Sequence, residues 1–219
     1  MTPRALIFDM DGLMLDTEPL AARAWEVAAL AAGVAFDAAV TPRLVGRTFA
    51  DCRALIHDHH GGGDYPVDAL MAAWHVAYDG IVEHEGLALK PGLVELLDWL
   101  ETRAIVRGVA TSTRRERARA KLERTGLWPR FATLVGGDEV GRGKPAPDIF
   151  LAAAQRLGVA PARCLVLEDS TPGLEAAAAA GIPAVMVPDL CAPPAGVAGA
   201  PPRVMASLHE VRSWLASLA

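Results

Sequence analysis

An α/β fold, a parallel sheet interrupted by a helical insertion, is what this sequence predicts, on three observations. Short apolar runs alternate with helix-length stretches, two of those runs end in acidic clusters, and a long segment after the first run carries helical patterns alone. The first run is Arg4–Phe8, and Ile105–Ala110, Ala132–Gly136, Cys164–Leu167 and Ala184–Val187 repeat it. Near-continuous apolar runs of this length suit strands buried on both faces. Leu93–Arg103, Arg114–Arg124 and Asp148–Leu157 read as the helices between them. Strands and helices in alternation imply βαβ units. Gly158-Val159 and Gly181-Ile182-Pro183 stop helices ahead of the next strand. Glu175–Ala180 combines high helix propensity with side chains small enough for close packing on a sheet.

About a hundred residues separate the first two strands, far more than a crossover needs, and unstructured loops of that length are rare. Leu20–Ala32, Pro42–Asp58 and Val67–Glu83 instead read as helices, separated by Gly33 and by Gly61-Gly62-Gly63. The predicted organisation is a core formed by residues 1–16 and 88–219, with residues 17–87 as a helical insertion on its rim. Hinges fall near Leu13–Pro19 and Leu87–Pro91.

Composition narrows the function classes. With 219 residues, 52% hydrophobic and 21% charged, the chain can bury a sizeable core without disulfides or a structural metal, and it is not disordered. A net charge of −5 lacks the basic excess of a nucleic-acid binder. Cys52, Cys164 and Cys191 are scattered, which suits a reducing compartment. The start, MTPRALIFDMDG, meets acids too early for a signal peptide, and no run approaches the ~18 apolar residues of a membrane span. A cytoplasmic enzyme is expected, with no nucleic-acid or membrane partner; no feature sets an oligomeric state.

The chemistry starts at Asp9-Met10-Asp11-Gly12, directly after a buried strand, where open α/β sheets bind ligands. Two carboxylates this close resist ionising together unless a cation holds them or one keeps its proton, which suits an oxygen-ligated ion such as Mg²⁺. Alone, the pair also fits a turn that caps the next helix. Glu168-Asp169-Ser170 follows its strand in the same way, and two such ends look like halves of one cation site. Lys144 sits in a glycine-flanked loop before a helix and can deliver one positive charge. Thr111-Ser112-Thr113 offers hydroxyls and backbone N–H groups at a helix start, either to an anion or as an ordinary N-cap. Together, acids for Mg²⁺ and a lysine with hydroxyls for anionic oxygens describe phosphoryl transfer.

FDMDGLMLDTEPL, VATSTRRE, GRGKPAPDIF and LVLEDSTPGLEAAAAAGI resemble, in order and spacing, the four motifs of the haloacid dehalogenase superfamily. The insertion is placed like that superfamily's helical C1 cap. Fragments such as VMVPD are similar to the branch containing β-phosphoglucomutases and pseudouridine-5′-phosphatases. The resemblance implies a Rossmann-like sheet and a Mg²⁺-dependent phosphatase for a small phosphorylated metabolite, a sugar phosphate or nucleoside monophosphate. It makes Asp9 the nucleophile that forms an aspartyl-phosphate and Asp11 the general acid, then base. Thr111, with Ser112 beside it, would hold phosphoryl oxygens, and Lys144 would neutralise charge and orient Asp9. Asp9, the backbone carbonyl of Asp11 and Asp169 would ligate Mg²⁺, with Glu168 a direct or water-mediated ligand.

The alternative is a phosphosugar mutase, but Ala21 and Val45 stand where the resemblance to β-phosphoglucomutases calls for a histidine and a lysine. Asp11 argues against a dehalogenase. The absence of any lysine from Glu18–Gly86 argues against a Schiff-base phosphonoacetaldehyde hydrolase. Arg47 matches a cap segment that faces the site in relatives, so it is a candidate substrate contact; Arg114 is either a phosphate contact or a surface arginine. His57, Asp58, His59 and His60 read as a solvated helix end, and Trp25, Trp74 and Trp99 as core.

Overall fold

The computed structural model describes residues 2–218, and its central strand is β1 (Ala5–Phe8). On one side β1 pairs in parallel with β2 (Val106–Ala110), and β2 with β3 (Thr133–Val135). On the other it pairs with β4 (Cys164–Glu168), followed by β5 (Ala184–Met186) and the short β6 (Arg203–Val204). The order β3-β2-β1-β4-β5-β6 is the Rossmann-like doubly wound arrangement, whose switch point lies beside β1. Every residue of β1 and β4 is buried, which is why both read as unbroken apolar runs.

Successive side chains of a strand point to opposite faces, and β1 divides accordingly. Leu6 and Phe8 join a cluster with α4 (Leu93–Thr102), α5 (Arg115–Arg124) and α8 (Leu208–Ser217). Ala5 and Ile7 join the opposite cluster, with α6 (Asp148–Leu157) and α7 (Thr171–Ala179). Ala176 and Ala177 let α7 lie close on the sheet, as the alanine run implied.

Between β1 and α4 stand α1 (Glu18–Ala32), α2 (Phe49–His59) and α3 (Val67–Glu85), with apolar clusters of their own around Trp25, Ile56 and Leu70, and around Ala24, Tyr78 and Val82. The outgoing and returning chains run side by side: Asp16 N–H donates to Ala88 O at 2.9 Å and Lys90 N–H to Met14 O at 2.9 Å. Among the described residues, no helix is long and apolar enough to cross a membrane.

Four elements differ from the sequence reading. The helix expected over Pro42–Asp58 is broken: a 3-10 turn covers Ala38–Arg43, Gly46 adopts φ +75°, and Thr48 caps α2 by accepting from Asp51 N at 3.2 Å. Helix α7 begins at Thr171 rather than Glu175, because Ser170 caps it through Gly173 N. Finally, β6 and α8 lie where the sequence reading placed nothing. Polar residues between their few apolar positions weaken the pattern, yet Leu208, Val211 and Leu215 are fully buried against α4.

Truncating Leu215 tests that last element. Leu215→Ala is expected to lower unfolding free energy by about 2–5 kcal/mol, measured by urea denaturation, as for other buried leucines. A loss below about 0.5 kcal/mol, the scale of surface substitutions, would place α8 outside the core.

Candidate active site

Strand ends bring the predicted residues together. Asp9 leaves β1 with its N–H on Leu167 O at 3.0 Å, so the ladder with β4 carries it to the position beside Glu168. Asp9, Glu168 and Asp169 each place a carboxylate oxygen within 4.8 Å of the others, and all three are buried. Lys144, from the loop before α6, is 1% exposed and sits between two of them. Its Nζ donates to Asp9 Oδ1 at 2.5 Å and to Glu168 Oε1 at 2.5 Å. The other Glu168 oxygen accepts from Asp169 N, Ser170 N and Ser170 Oγ at 2.8–2.9 Å. Close approach of α7 matters here: a Cβ on Gly173 would overlap the Glu168 carboxylate.

Asp169 is different. Its Oδ2 is buried without a hydrogen-bond partner, and a Cβ on Gly12 (φ +83°) would overlap it. Glycine thus keeps a cradle open beside an orphaned carboxylate oxygen. Burial, with Glu168 and Asp9 nearby, pushes the Asp169 carboxyl well above its usual range. Burial likewise pushes Asp9 up to about 7, with Lys144 pulling the other way. Two carboxylates that resist ionising beside an unpartnered oxygen fit a hard divalent cation.

Asp11 points elsewhere. Lys121 Nζ on α5 donates to its Oδ1 at 2.7 Å and Thr113 Oγ1 to its Oδ2 at 2.7 Å. Burial would raise the Asp11 carboxyl, but Lys121 and these hydrogen bonds outweigh it and hold the group below its usual range. Asp9, Asp11, Thr111, Ser112 and Arg47 line one cavity of about 170 Å³ between the sheet's C-terminal edge and α1–α3. Lys144, Glu168 and Asp169 stand outside that lining, behind Asp9. Thr111 is 1% exposed and its hydroxyl accepts from Thr113 N at 3.1 Å. The Ser112 hydroxyl donates to Gly46 O at 2.8 Å, tying core to insertion. Arg47 Nε donates to Arg43 O at 3.0 Å, and Arg114 reaches the cavity from an exposed position.

Trp25 and Trp74 pack in the insertion's core as expected and also line the cavity, while Trp99 packs on the sheet cluster. His59 meets Asp37 at 2.8 Å and His60 stacks on Tyr65 at 4.3 Å, so the histidine-rich end of α2 is fastened to neighbouring loops.

Among the cavity residues not singled out from sequence are Glu18 and Lys121. Glu18 is pushed up to about 7 by burial, then by Asp11 and Asp189. Lys121 had a legible signal: Arg114, Arg117 and Lys121 recur at i, i+3 and i+7, one helical face, and all three line the cavity. It is also one of only three lysines among 21 basic residues.

The profile of the haloacid dehalogenase-like hydrolases matches residues 3–181. The chain is 35% identical over 196 residues to protein CbbY of Rhodobacter capsulatus, covering 86% of each chain. It is 34% identical over 178 residues to the phosphorylated carbohydrates phosphatase of Thermotoga maritima, covering 81% of this chain and 82% of that protein. Among crystal structures, mutant CbbY from Rhodobacter sphaeroides in complex with xylulose-(1,5)-bisphosphate superposes with a TM-score of 0.80 at 28% identity, covering 95% of this chain and 96% of that one.

The raised Asp169 carboxyl gives a signed stability prediction. A group with a raised folded pKa binds its proton more tightly in the native state, so it opposes folding once pH exceeds the unfolded value, and increasingly until the folded value is passed. In chelator-treated protein, Asp169→Asn is therefore expected to raise the melting temperature at about pH 8, with the gain vanishing at about pH 3, below the unfolded value. Adding Mg²⁺ should stabilise the parent protein and not the variant. An equal or lower melting temperature for the variant at the higher pH would contradict the electrostatic reading.

Proposed function

The chain belongs to the haloacid dehalogenase-like hydrolases and is an enzyme of their phosphatase kind, and from that premise we propose that it hydrolyses a small phosphorylated metabolite through an aspartyl-phosphate on Asp9. The observation that carries this reading is the placement of Asp9 and Asp11 in one cavity, with Lys144 bonded to Asp9 from behind. A sugar phosphate or nucleoside monophosphate is the substrate class, and the carbohydrate-phosphate relatives favour the sugar.

Asp9 Oδ attacks phosphorus and the bond to the leaving oxygen breaks, while Asp11, which must first take up a proton against the pull of Lys121, gives that oxygen its proton. Water then attacks the aspartyl-phosphate; Asp11 takes its proton, and Asp9 departs with phosphate released. Lys144 orients Asp9 and offsets charge gathered by the phosphoryl group. Thr111 and the backbone N–H groups that follow it, together with Ser112, would bind phosphoryl oxygens at the start of α5. Asp9, Asp169 and the backbone carbonyl of Asp11 would hold Mg²⁺, which when bound supplies positive charge against the phosphoryl oxygens. Glu168 has both oxygens engaged by protein donors, so its part is to hold Lys144 and to reach the ion through water.

Residues 17–87 act as the cap, closing over small substrates and excluding bulk water, with Arg47 as a substrate contact. Ala21 and Val45 line the cavity without a cation or an imidazole. A bisphosphate intermediate would lack those partners during reorientation, so water wins the aspartyl-phosphate and hydrolysis prevails over mutase chemistry. Three free cysteines suit a cytoplasmic location.

A phosphate-release screen over sugar phosphates and nucleotides with Mg²⁺ tests the reading. Asp9→Asn should abolish turnover in folded protein, and Asp11→Asn should lower it roughly 10²–10⁴-fold, the usual scale for a general acid–base. Activity near the parent's in purified Asp9→Asn would overturn the mechanism. EDTA should abolish turnover and Mg²⁺ restore it; full activity after exhaustive chelation would remove the metal. With β-glucose 1-phosphate and catalytic glucose 1,6-bisphosphate, inorganic phosphate should outpace glucose 6-phosphate, and the reverse would make the enzyme a mutase.

A further inference from the structure

Lys121 is a half-buried ammonium with no part in the steps above. Its side chain is 12% exposed, and it lies 2.7 Å from Asp11 Oδ1 while Thr113 takes the other oxygen. The Asp11 carboxylate is thus gripped on both oxygens by the α5 end of the core. The opposite side of Lys121 faces the insertion. Its Nζ stands 4.9 Å from the centre of the Tyr78 ring, within cation–π reach. Tyr78 on α3 is 3% exposed and stacks on Trp74 at 4.9 Å. Trp74 packs on Trp25 at 5.1 Å, and Trp25 stacks on Phe36 at 5.1 Å. Four aromatic rings therefore form a column through the insertion that ends on the ammonium paired with Asp11.

The choice of side chain points the same way. Only three of 21 basic residues are lysine, and each pairs with an aspartate next to the first motif or within it. Lys144 pairs with Asp9 and Lys121 with Asp11, while Lys90 pairs with Asp189 at 2.8 Å and with Asp16 at 3.4 Å.

We propose that Lys121 is a positioning residue for Asp11, and that Tyr78 makes this hold depend on the insertion being seated over the core. The inference rests on the acid–base role given to Asp11 above. With Lys121 removed, the Asp11 carboxyl loses one of its two anchors and turns away from the leaving oxygen. With the Tyr78 ring removed, the ammonium loses its cover on the insertion side and water reaches the pair. Binding of the phosphoryl group, which falls to other residues, is left intact, so the defect appears in kcat and not in KM.

A double-mutant cycle tests this with phenyl phosphate and Mg²⁺ on the full chain, each variant checked for folding by circular dichroism. Lys121→Met should lower kcat roughly 10–100-fold, part of the 10²–10⁴-fold that a general acid–base supplies, with KM within about threefold. In the Asp11→Asn background the same change should alter kcat by less than about twofold, because a residue acting only through Asp11 has nothing further to lose. Lys121→Ala should regain activity with added methylammonium, a response that simple destabilisation does not give. Tyr78→Leu should lower kcat in the parent and not in the Asp11→Asn background, and this second cycle, which needs no Lys121 variant, decides the matter if Lys121→Met does not fold. Multiplicative losses in both cycles, or kcat within about twofold of the parent for Lys121→Met, would overturn the proposal. Full activity of Asp11→Asn alone would instead bring down the acid–base reading, and that result is visible before any Lys121 variant is made.

Discussion

The buried Lys144 ammonium organises the C-terminal edge of the sheet. Lys144 bridges Asp9 and Glu168 with almost no exposure to water. An ion taken out of water costs several kcal/mol unless its partners are well placed, and removing one partner of a buried pair typically costs about 3–5 kcal/mol. Three separate chain segments must therefore arrive together: the end of β1, the loop ahead of α6, and the end of β4. The sheet order supplies that meeting, since β1 and β4 are hydrogen-bonded neighbours. Ser170 and the N–H groups of the Asp169–Ser170 turn then fasten Glu168, so its negative charge is fully engaged.

The same cluster carries more acid than Lys144 can balance. Asp9, Glu168 and Asp169 are three carboxyls against one ammonium, and burial resists their joint ionisation. The imbalance settles on Asp169 Oδ2, which finds no protein donor. Gly12 keeps the space beside that oxygen free of side-chain atoms. The apparent defect in hydrogen bonding and the proposed divalent cation are thus two views of one arrangement.

Asp11 lives two residues from Asp9 under opposite electrostatics. Where Asp9 is pushed up, Asp11 is held down by Lys121 and Thr113. Residues two apart on an extended chain share a side, but the backbone turns here, with Gly12 at φ +83°, and the two carboxylates end on different lysines. The insertion is joined to the site by polar contacts as well as packing, since Ser112 donates to Gly46 O and the chain leaves and returns through paired backbone at Asp16 and Ala88.

The sequence by itself determined the sheet's inner strands and the acids at their ends. Buried parallel strands need continuous apolar side chains, and carboxylates directly after them have few structural uses, so Asp9, Asp11, Glu168 and Asp169 were legible by position. Helix type was legible as well, except where Pro42 and Gly46 divide a stretch whose apolar spacing looked continuous. At the far edge, β6 is two exposed residues with no apolar run to read. Only the tertiary structure decided which partner each charge takes. Lys144 reaches across 135 positions to Asp9 and Lys121 across 110 to Asp11, and no local pattern encodes such pairings. They depend on which strands are adjacent and which helix face turns inward. It also decided that Glu168 serves Lys144 while Asp169 is left open, a distinction between adjacent residues of the same chemistry that follows from the turn at Ser170 and the close approach of Gly173.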